Sequence, residues 1–156
     1  MDIFTVSFFG HREFDRALQV EARLEAFVSR IIKEHGYVEF LVGRKGEFDL
    51  LSASVIRRVR RSLGVNNCSL VWVMPYLSAD YAENSQSYDE YYDEIEVCEK
   101  SAAAHFKSAI GICNRYMADR SDLAVFYVER NWGGAYEVMK YALKRGKPCI
   151  NLYEDE

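Results

Sequence analysis

Residues 3–12 have the sequence IFTVSFFGHR, an apolar, β-rich run that ends in a glycine and two basic side chains. Runs of the same type occur at 37–42, 70–74, 123–128 and 149–152. Three of the intervening stretches carry apolar residues at steps of three and four, which is the spacing of an amphipathic helix. Strands that alternate with helices are typical of βαβ units. The pattern therefore predicts an α/β fold with a mostly parallel sheet of about five strands.

The length of the chain fits one domain. Its 156 residues, of which 49% are apolar and 14% aromatic, are enough to form a packed core. We therefore expect a single domain over residues 1–156. An irregular insertion is predicted at about 76–104, because this stretch is rich in Tyr, Asp, Glu and Ser and has weak periodicity. The insertion is either a recognition segment or a solvated surface loop.

Charge and composition narrow the choice of partners. The net charge of −4 and the isoelectric point near 5.5 argue against a surface that coats nucleic acid, so no nucleic-acid partner is expected. The apolar runs are too short to span a bilayer and the N-terminus does not resemble a signal peptide, so we expect a cytoplasmic protein without a membrane partner. The four cysteines are widely spaced, which argues against a metal site. No cofactor is predicted.

Ligands of parallel α/β proteins collect beyond the carboxyl ends of the strands, so the residues after each strand are the first candidates. Gly10-His11-Arg12 follows the first strand and offers donors suited to phosphate or carboxylate. Gly43-Arg44-Lys45-Gly46 follows the second strand and precedes Asp49, a candidate helix N-cap. Two glycines around two cations beside a helix start favour an anion, although a simple turn has the same composition.

Glu129-Arg130-Asn131-Trp132-Gly133-Gly134 follows the fourth strand and leads directly into the last helix. Paired glycines at a helix N-terminus expose free N–H groups, which is the geometry that binds phosphate. The alternative is a turn that only permits close packing of helix and strand. Trp132 either stacks on a base or packs against the protein.

Several of these motifs together resemble the SLOG superfamily, which implies a Rossmann-like, three-layer α/β/α sandwich. The closest resemblance is to small bacterial and phage-associated members of unassigned function. It implies binding of a nucleotide or a nucleotide-derived, phosphate-bearing metabolite, possible use as a sensor, and a homo-oligomer. The motifs that carry it are residues 8–12, 43–46 with Asp49, 114–117, 121–122, and 132–135 with Glu137. On this basis the ligand-binding residues are Gly10, His11, Arg12, Gly43, Arg44, Gly46, Asn114, Arg115, Trp132, Gly133 and Gly134.

A more distant resemblance links the chain to the lonely-guy phosphoribohydrolases. It implies that Arg115 orients the substrate or supports the phosphate, and that Glu137 binds the ribose and stabilises the positive charge that grows as a glycosidic bond breaks. The chain lacks the Pro-Gly-Gly run of those enzymes and has residues 129–132 instead. Three functions therefore stay open: a nucleotide-metabolite binding module, an N-glycosidic hydrolase, and a protein-interaction module that uses the acidic, tyrosine-rich segment Tyr88–Glu94.

Overall fold

The computed structural model describes residues 2–153 and contains six strands and seven helices within that range. The strands are β1 (Phe4–Gly10), β2 (Val38–Val42), β3 (Cys68–Met74), β4 (Glu94–Val97), β5 (Leu123–Tyr127) and β6 (Cys149–Asn151). The helices are α1 (Ala17–Glu34), α2 (Glu47–Leu63), α3 (Ala79–Glu83), α4 (Ser85–Tyr91), α5 (Glu99–Ala102), α6 (Phe106–Arg120) and α7 (Gly134–Lys144).

The strands form one sheet in the order β4-β3-β2-β1-β5-β6, and every neighbouring pair is parallel. In the centre of the sheet Val6 pairs with Phe40 of β2, and Phe8 pairs with Val125 of β5. Helices cover both faces, so each central strand is buried on both sides; all seven residues of β3 are buried. The predicted Rossmann-like α/β fold is confirmed, with six strands instead of about five.

Two apolar clusters hold the three layers together. One lies between the sheet and helices α1 and α2, and the other lies between the sheet and helices α6 and α7. Fully burying one large apolar side chain stabilises the fold by roughly 1.5–3 kcal/mol, so the two clusters supply most of the favourable free energy of folding. The largest fully buried side chains of the first cluster include Tyr92, Tyr127, Phe8, Phe40, Phe48 and Leu24. Those of the second cluster include Leu41, Phe126 and Met117.

The segment 76–104 differs from the irregular insertion that the sequence predicts. It contains the short helices α3, α4 and α5 and the edge strand β4. Strand β4 has the sequence EIEV, and its pairing is extended by bonds from Asp93 N to Leu70 O and from Cys98 N to Met74 O, both 2.9 Å. An edge strand tolerates charged residues because one of its sides is open. The alternating glutamates of β4 therefore give no apolar run by which the sequence could predict this strand.

The helices of this segment are anchored by aromatic packing. Trp72 of β3 contacts Tyr81, Tyr88 and Tyr92, with ring centroids 5.9, 5.1 and 5.4 Å away. Arrangements of this kind add roughly 0.5–1.5 kcal/mol per pair beyond the area they bury. Three tyrosines of the predicted insertion, Tyr81, Tyr88 and Tyr92, therefore pack on Trp72 of the sheet.

Among residues 2–153, none of the helices combines the length and the apolar character that crossing a bilayer requires. The four cysteines are free, and three of them are buried.

The contact between Gly10 and Phe48 gives a test of the packing. A Cβ added at Gly10 would lie 2.3 Å from the Phe48 ring, so Gly10→Ala should lower the free energy of unfolding by about 1–3 kcal/mol. Gly36→Ala is the matched control, because a Cβ at Gly36 meets nothing within 4 Å; its effect should stay within about 0.5 kcal/mol. Urea unfolding measures both changes, and equal stability of the two variants would contradict the packing described here.

Candidate functional site

A hollow of about 260 Å³ opens at the carboxyl edge of the sheet. It lies where the loops after β1, β2 and β5 meet helix α6 and the start of α7. Its lining residues are Phe8, Phe9, Gly10, His11, Arg12, Gly43, Lys45, Gly46, Asp49, Ile110, Asn114, Met117, Arg130, Trp132, Gly133, Gly134 and Ala135. We call this space the first hollow.

The first hollow lies at the switch point of the sheet. The chain proceeds from β1 to β2, β3 and β4 on one side, then returns to place β5 on the other side of β1. The loop after β1 leads to α1 on one face, whereas the loop after β5 leads to α7 on the opposite face. Because the two loops diverge, they leave a crevice between them, and this is the position at which open α/β sheets bind ligands.

The glycines after β1 and β2 allow the loops to pack closely on each other. A Cβ at Gly10 would collide with Phe48 of α2, and a Cβ at Gly46 would lie 2.4 Å from Cα of Arg12. Glu47 N also donates to Arg12 O at 2.8 Å. The sequence predicts Gly10 and Gly46 as ligand-binding residues. The structure shows that the close approach to both glycines is made by the protein's own chain, which fixes Arg12 at the rim of the first hollow.

His11 has a different role from the one that the sequence suggests. Its side chain is buried, and Nε2 accepts a hydrogen bond from Glu129 N at 3.0 Å. Burial lowers the pKa of His11, and the charge of Arg130 lowers it further. A neutral His11 therefore holds the loop after β5 against the loop after β1, and it does not present Nε2–H to an anion.

Lys45 lies at the floor of the first hollow, between two polar partners. Its Nζ donates to Oδ1 of Asn114 at 2.7 Å, and its backbone N donates to Oδ2 of Asp49 at 3.0 Å. Burial raises the pKa of Asp49 and lowers the pKa of Lys45, while the opposite charge of each partly offsets the effect on the other. Asp49 is inside α2 and not at its N-cap, which is Gly46. The carboxylate thus organises the loop before its own helix.

The loop after β5 brings a cation and an exposed ring to the rim. The guanidinium carbon of Arg130 lies 4.0 Å from the centroid of the Trp132 ring, and Trp132 is 62% exposed. The Nε of Arg130 is buried and has no hydrogen-bond acceptor among residues 2–153. Next to this pair, Gly133 adopts φ +98, and a Cβ at Gly133 or Gly134 would meet nothing within 4 Å. The start of α7 therefore faces open space.

Three predicted site residues lie outside the first hollow. Arg44 points toward the tyrosines and donates to the hydroxyls of Tyr88 and Tyr92, at 3.2 and 3.4 Å. Arg115 is exposed on α6, and Glu137 is exposed on α7, where it pairs with Lys140 at 3.5 Å. Helical periodicity explains these positions: Asn114 faces the hollow, so Arg115, about 100° further around the helix, does not.

Sequence reasoning missed two cations that line the first hollow, Lys45 and Arg130. Both belong to motifs that it did quote. Lys45 and Arg44 are adjacent in the sequence, and they differ only in the direction of their side chains: Lys45 lines the first hollow, and Arg44 contacts the tyrosines. Arg130 precedes the paired glycines by three residues, close enough for the loop to bring it back over Trp132. Loop conformation decides both cases, and a loop has no periodicity from which orientation can be inferred.

Comparisons with known proteins support the Rossmann-like class that the fold defines. No protein-family model matches the chain, and no curated protein matches it in sequence. Among solved structures, the chain is similar to DNA processing protein A (DprA) from Streptococcus pneumoniae, with a TM-score of 0.65, 11% identity and coverage of 94% of this chain and 49% of that one.

A second similar structure is described as revealing the single-stranded DNA binding mode of DNA processing protein A from Helicobacter pylori. Its TM-score is 0.65 and its identity 15%, with coverage of 94% of this chain and 63% of that one. The chain thus spans about half to under two thirds of these proteins' own lengths.

This comparison contradicts two predictions from the sequence. The expected small, nucleotide-like ligand and the expected absence of a nucleic-acid partner are both wrong, because the structural neighbours are DNA-processing proteins and one is described as binding single-stranded DNA. The exclusion of nucleic acid rested on the net charge of the whole chain. Cations concentrated in one hollow are not visible in that sum. The predicted homo-oligomer stays a prediction.

The buried His11 gives a pH test of the site. Because its pKa is lowered in the folded protein, the unfolded chain binds more protons just below the ordinary pKa of 6.5, and the free energy of unfolding falls as the pH falls through that value. His11→Gln keeps an acceptor for Glu129 N and cannot be protonated. Its melting temperature should therefore change less than that of the wild type between about pH 7.5 and about pH 5.5. Identical pH profiles of the two proteins would rule out a neutral, buried His11.

Proposed function

We propose that this chain binds single-stranded nucleic acid along the carboxyl edge of its sheet, with a backbone phosphate in the first hollow and a base stacked on Trp132. The observation that carries the proposal is the convergence of Arg12, Lys45 and Arg130 on the open start of α7, beside an exposed tryptophan. The fold likeness to proteins that process DNA, one of which is described as binding the single-stranded form, supports the same partner.

The charges that line the first hollow suit a phosphodiester. Among residues 2–153, three cations and one carboxylate, that of Asp49, line the first hollow. Burial raises the pKa of Asp49, and its carboxylate accepts a hydrogen bond from Lys45 N. The N-terminal amides of α7 add a positive end of a helix dipole, which favours an anion.

The aromatic groups at the rim suit unpaired bases. Trp132 is 62% exposed, so much of its large ring is available for stacking on a base. Arg130, held over one face of the ring, keeps the indole in a fixed orientation and leaves its other face for a base. A base inside a duplex is already stacked on its neighbours, so this arrangement favours single strands.

We further propose that the chain is a SLOG-like Rossmann unit and that its residues form a single domain. The motifs after β1, β2 and β5 support this assignment, because all three contribute residues to one hollow at the switch point. The helices and strand of 76–104 are then an elaboration of the same unit, since β4 extends its sheet.

The first test uses the salt dependence of binding. Arg12→Ala should weaken binding to oligothymidylate and should reduce the slope of log affinity against log salt concentration by about 0.7, the share of one phosphate contact on a single strand. Fluorescence anisotropy of a labelled strand at several salt concentrations measures the slope.

The matched control is Arg58→Ala, which changes the net charge equally. Arg58 of α2 pairs with Glu21 and Glu25 of α1, each at 2.8 Å, and does not line the first hollow. Its removal should leave the slope unchanged. If both variants lower the slope equally, binding follows overall charge, and the first hollow is not the phosphate site.

A second test addresses stacking. Trp132→Ala should weaken binding to oligothymidylate by about 1–3 kcal/mol, and Trp132→Phe should restore part of the loss because a smaller ring remains. Leu143→Ala is the control, since Leu143 is 56% exposed near the opposite end of α7. Titration by anisotropy at fixed salt gives the three affinities. A Trp132→Ala protein that binds like the Leu143→Ala protein would exclude stacking on this residue.

A further inference from the structure

A second hollow of about 220 Å³ lies beside the first on the same edge of the sheet. It is formed by Arg44 and Lys45 after β2, by residues 72–76 at the end of β3, and by Ser78 and Asp80. Lys45 and Ile110 line both hollows, so the two spaces adjoin. The ends of β1 and β3 are two strand spacings apart, roughly 10 Å, which puts neighbouring units of one strand within reach of both.

The walls of the second hollow are aromatic and firmly held. Trp72 is 4% exposed, and its ring contacts Tyr81, Tyr88 and Tyr92. Tyr76 is 38% exposed and supplies most of the accessible aromatic surface of this hollow. A flat, uncharged group that stacks on Tyr76 displaces none of the packing around Trp72.

The polar groups of the second hollow include a hydrogen-bond donor, Arg44, and an acceptor, Asp80. Arg44 lies over the Tyr88 ring at 4.7 Å and donates to the Tyr88 hydroxyl, which in turn donates to Oδ2 of Asp80 at 2.7 Å. This chain of bonds fixes a donor, Arg44, and an acceptor, Asp80, in the lining of the second hollow. The edge of a nucleobase presents both acceptors and donors, so it complements this pair.

The two hollows differ in their balance of charge. Lys45 lines both, Arg44 and the carboxylate of Asp80 offset each other in the second hollow, and the first hollow has Arg12 and Arg130 beside Asp49. A phosphate is therefore favoured in the first hollow, and a neutral base suits the second, where the charges cancel more closely. The arrangement matches a nucleotide strand, whose charged backbone and neutral bases need different surroundings.

We propose that the second hollow holds one nucleobase of a single strand whose backbone phosphate lies in the first hollow. This inference rests on the function proposed above and adds to it a base-binding site at which the segment 76–92 takes part. Segment 76–92 is then a wall of the site, built on Trp72 of the sheet.

The test compares two strands of equal length, oligothymidylate and an abasic oligonucleotide with the same sugar-phosphate backbone. The measured quantity is the ratio of their affinities for each protein. Tyr76→Ala should lower the preference for oligothymidylate by about five-fold or more, while affinity for the abasic strand stays unchanged. Leu77→Ala, a change of the adjacent exposed residue that does not line the hollow, should leave the preference as it is.

A second measurement does not depend on the Tyr76 variant. The chain has two tryptophans, so Trp132→Phe leaves Trp72 as the only one. Its fluorescence should change when oligothymidylate binds and should stay constant when the abasic strand binds at equal occupancy.

The outcomes separate the two proposals. If the wild type binds neither strand, the proposed function is wrong and the base site falls with it. If the wild type binds, but Tyr76→Ala keeps the full preference for bases and Trp72 fluorescence is the same with both strands, the base site alone is wrong.

Discussion

The central strand β1 pairs with β2 on one side and with β5 on the other, and the rest of the structure depends on this position. Parallel strands require crossover connections, and right-handed crossovers on opposite sides of β1 must run on opposite faces of the sheet. Helices α1 and α2 therefore cover one face, and α6 and α7 cover the other. The loops that leave β1 and β5 diverge, and the crevice between them is a consequence of chain topology, whatever side chains line it.

Close packing then gives the crevice a fixed shape. Gly10 lies against Phe48 and Gly46 against Arg12, so the loops after β1 and β2 interlock without side chains between them. His11 and Lys45 extend the same arrangement: one holds the loop after β5, and the other reaches Asn114 of α6. Polar groups that are satisfied in this way cost little to bury. Lys45, at the floor of the first hollow, is thus held in place by the protein itself, and a group that is already ordered loses less entropy on binding.

The charge near the first hollow, and not the net charge of the chain, determines the electrostatic potential at this site. The chain is acidic overall, yet Arg12, Lys45 and Arg130 line one hollow, and Asp49 is the one carboxylate that the described part of the chain places beside them. Many of the acidic residues are elsewhere: Glu21 and Glu25 pair with Arg58, and Glu39 and Glu96 pair with Arg120. At physiological salt, charges separated by more than about 8 Å are largely screened from each other, so distant carboxylates do little to weaken the field of the hollow. The net charge of the chain was a poor predictor of its partners because it contains no information about where the charged residues lie.

The sequence by itself determined the alternation of strands and helices, the α/β class and the edge of the sheet at which a site should be sought. It could do so because buried strands and amphipathic helices have periods of their own, visible in runs such as Ile3–Phe9 and in the spacing of Leu24 and Phe27. Only the tertiary structure decided which loop residues face the hollow. Arg44 turns to the tyrosines while Lys45 turns inward, Arg130 folds back over Trp132, and the four residues of β4 pair only because β3 offers an edge. Contacts between parts of the chain far apart in sequence determine these orientations, and no local pattern encodes them.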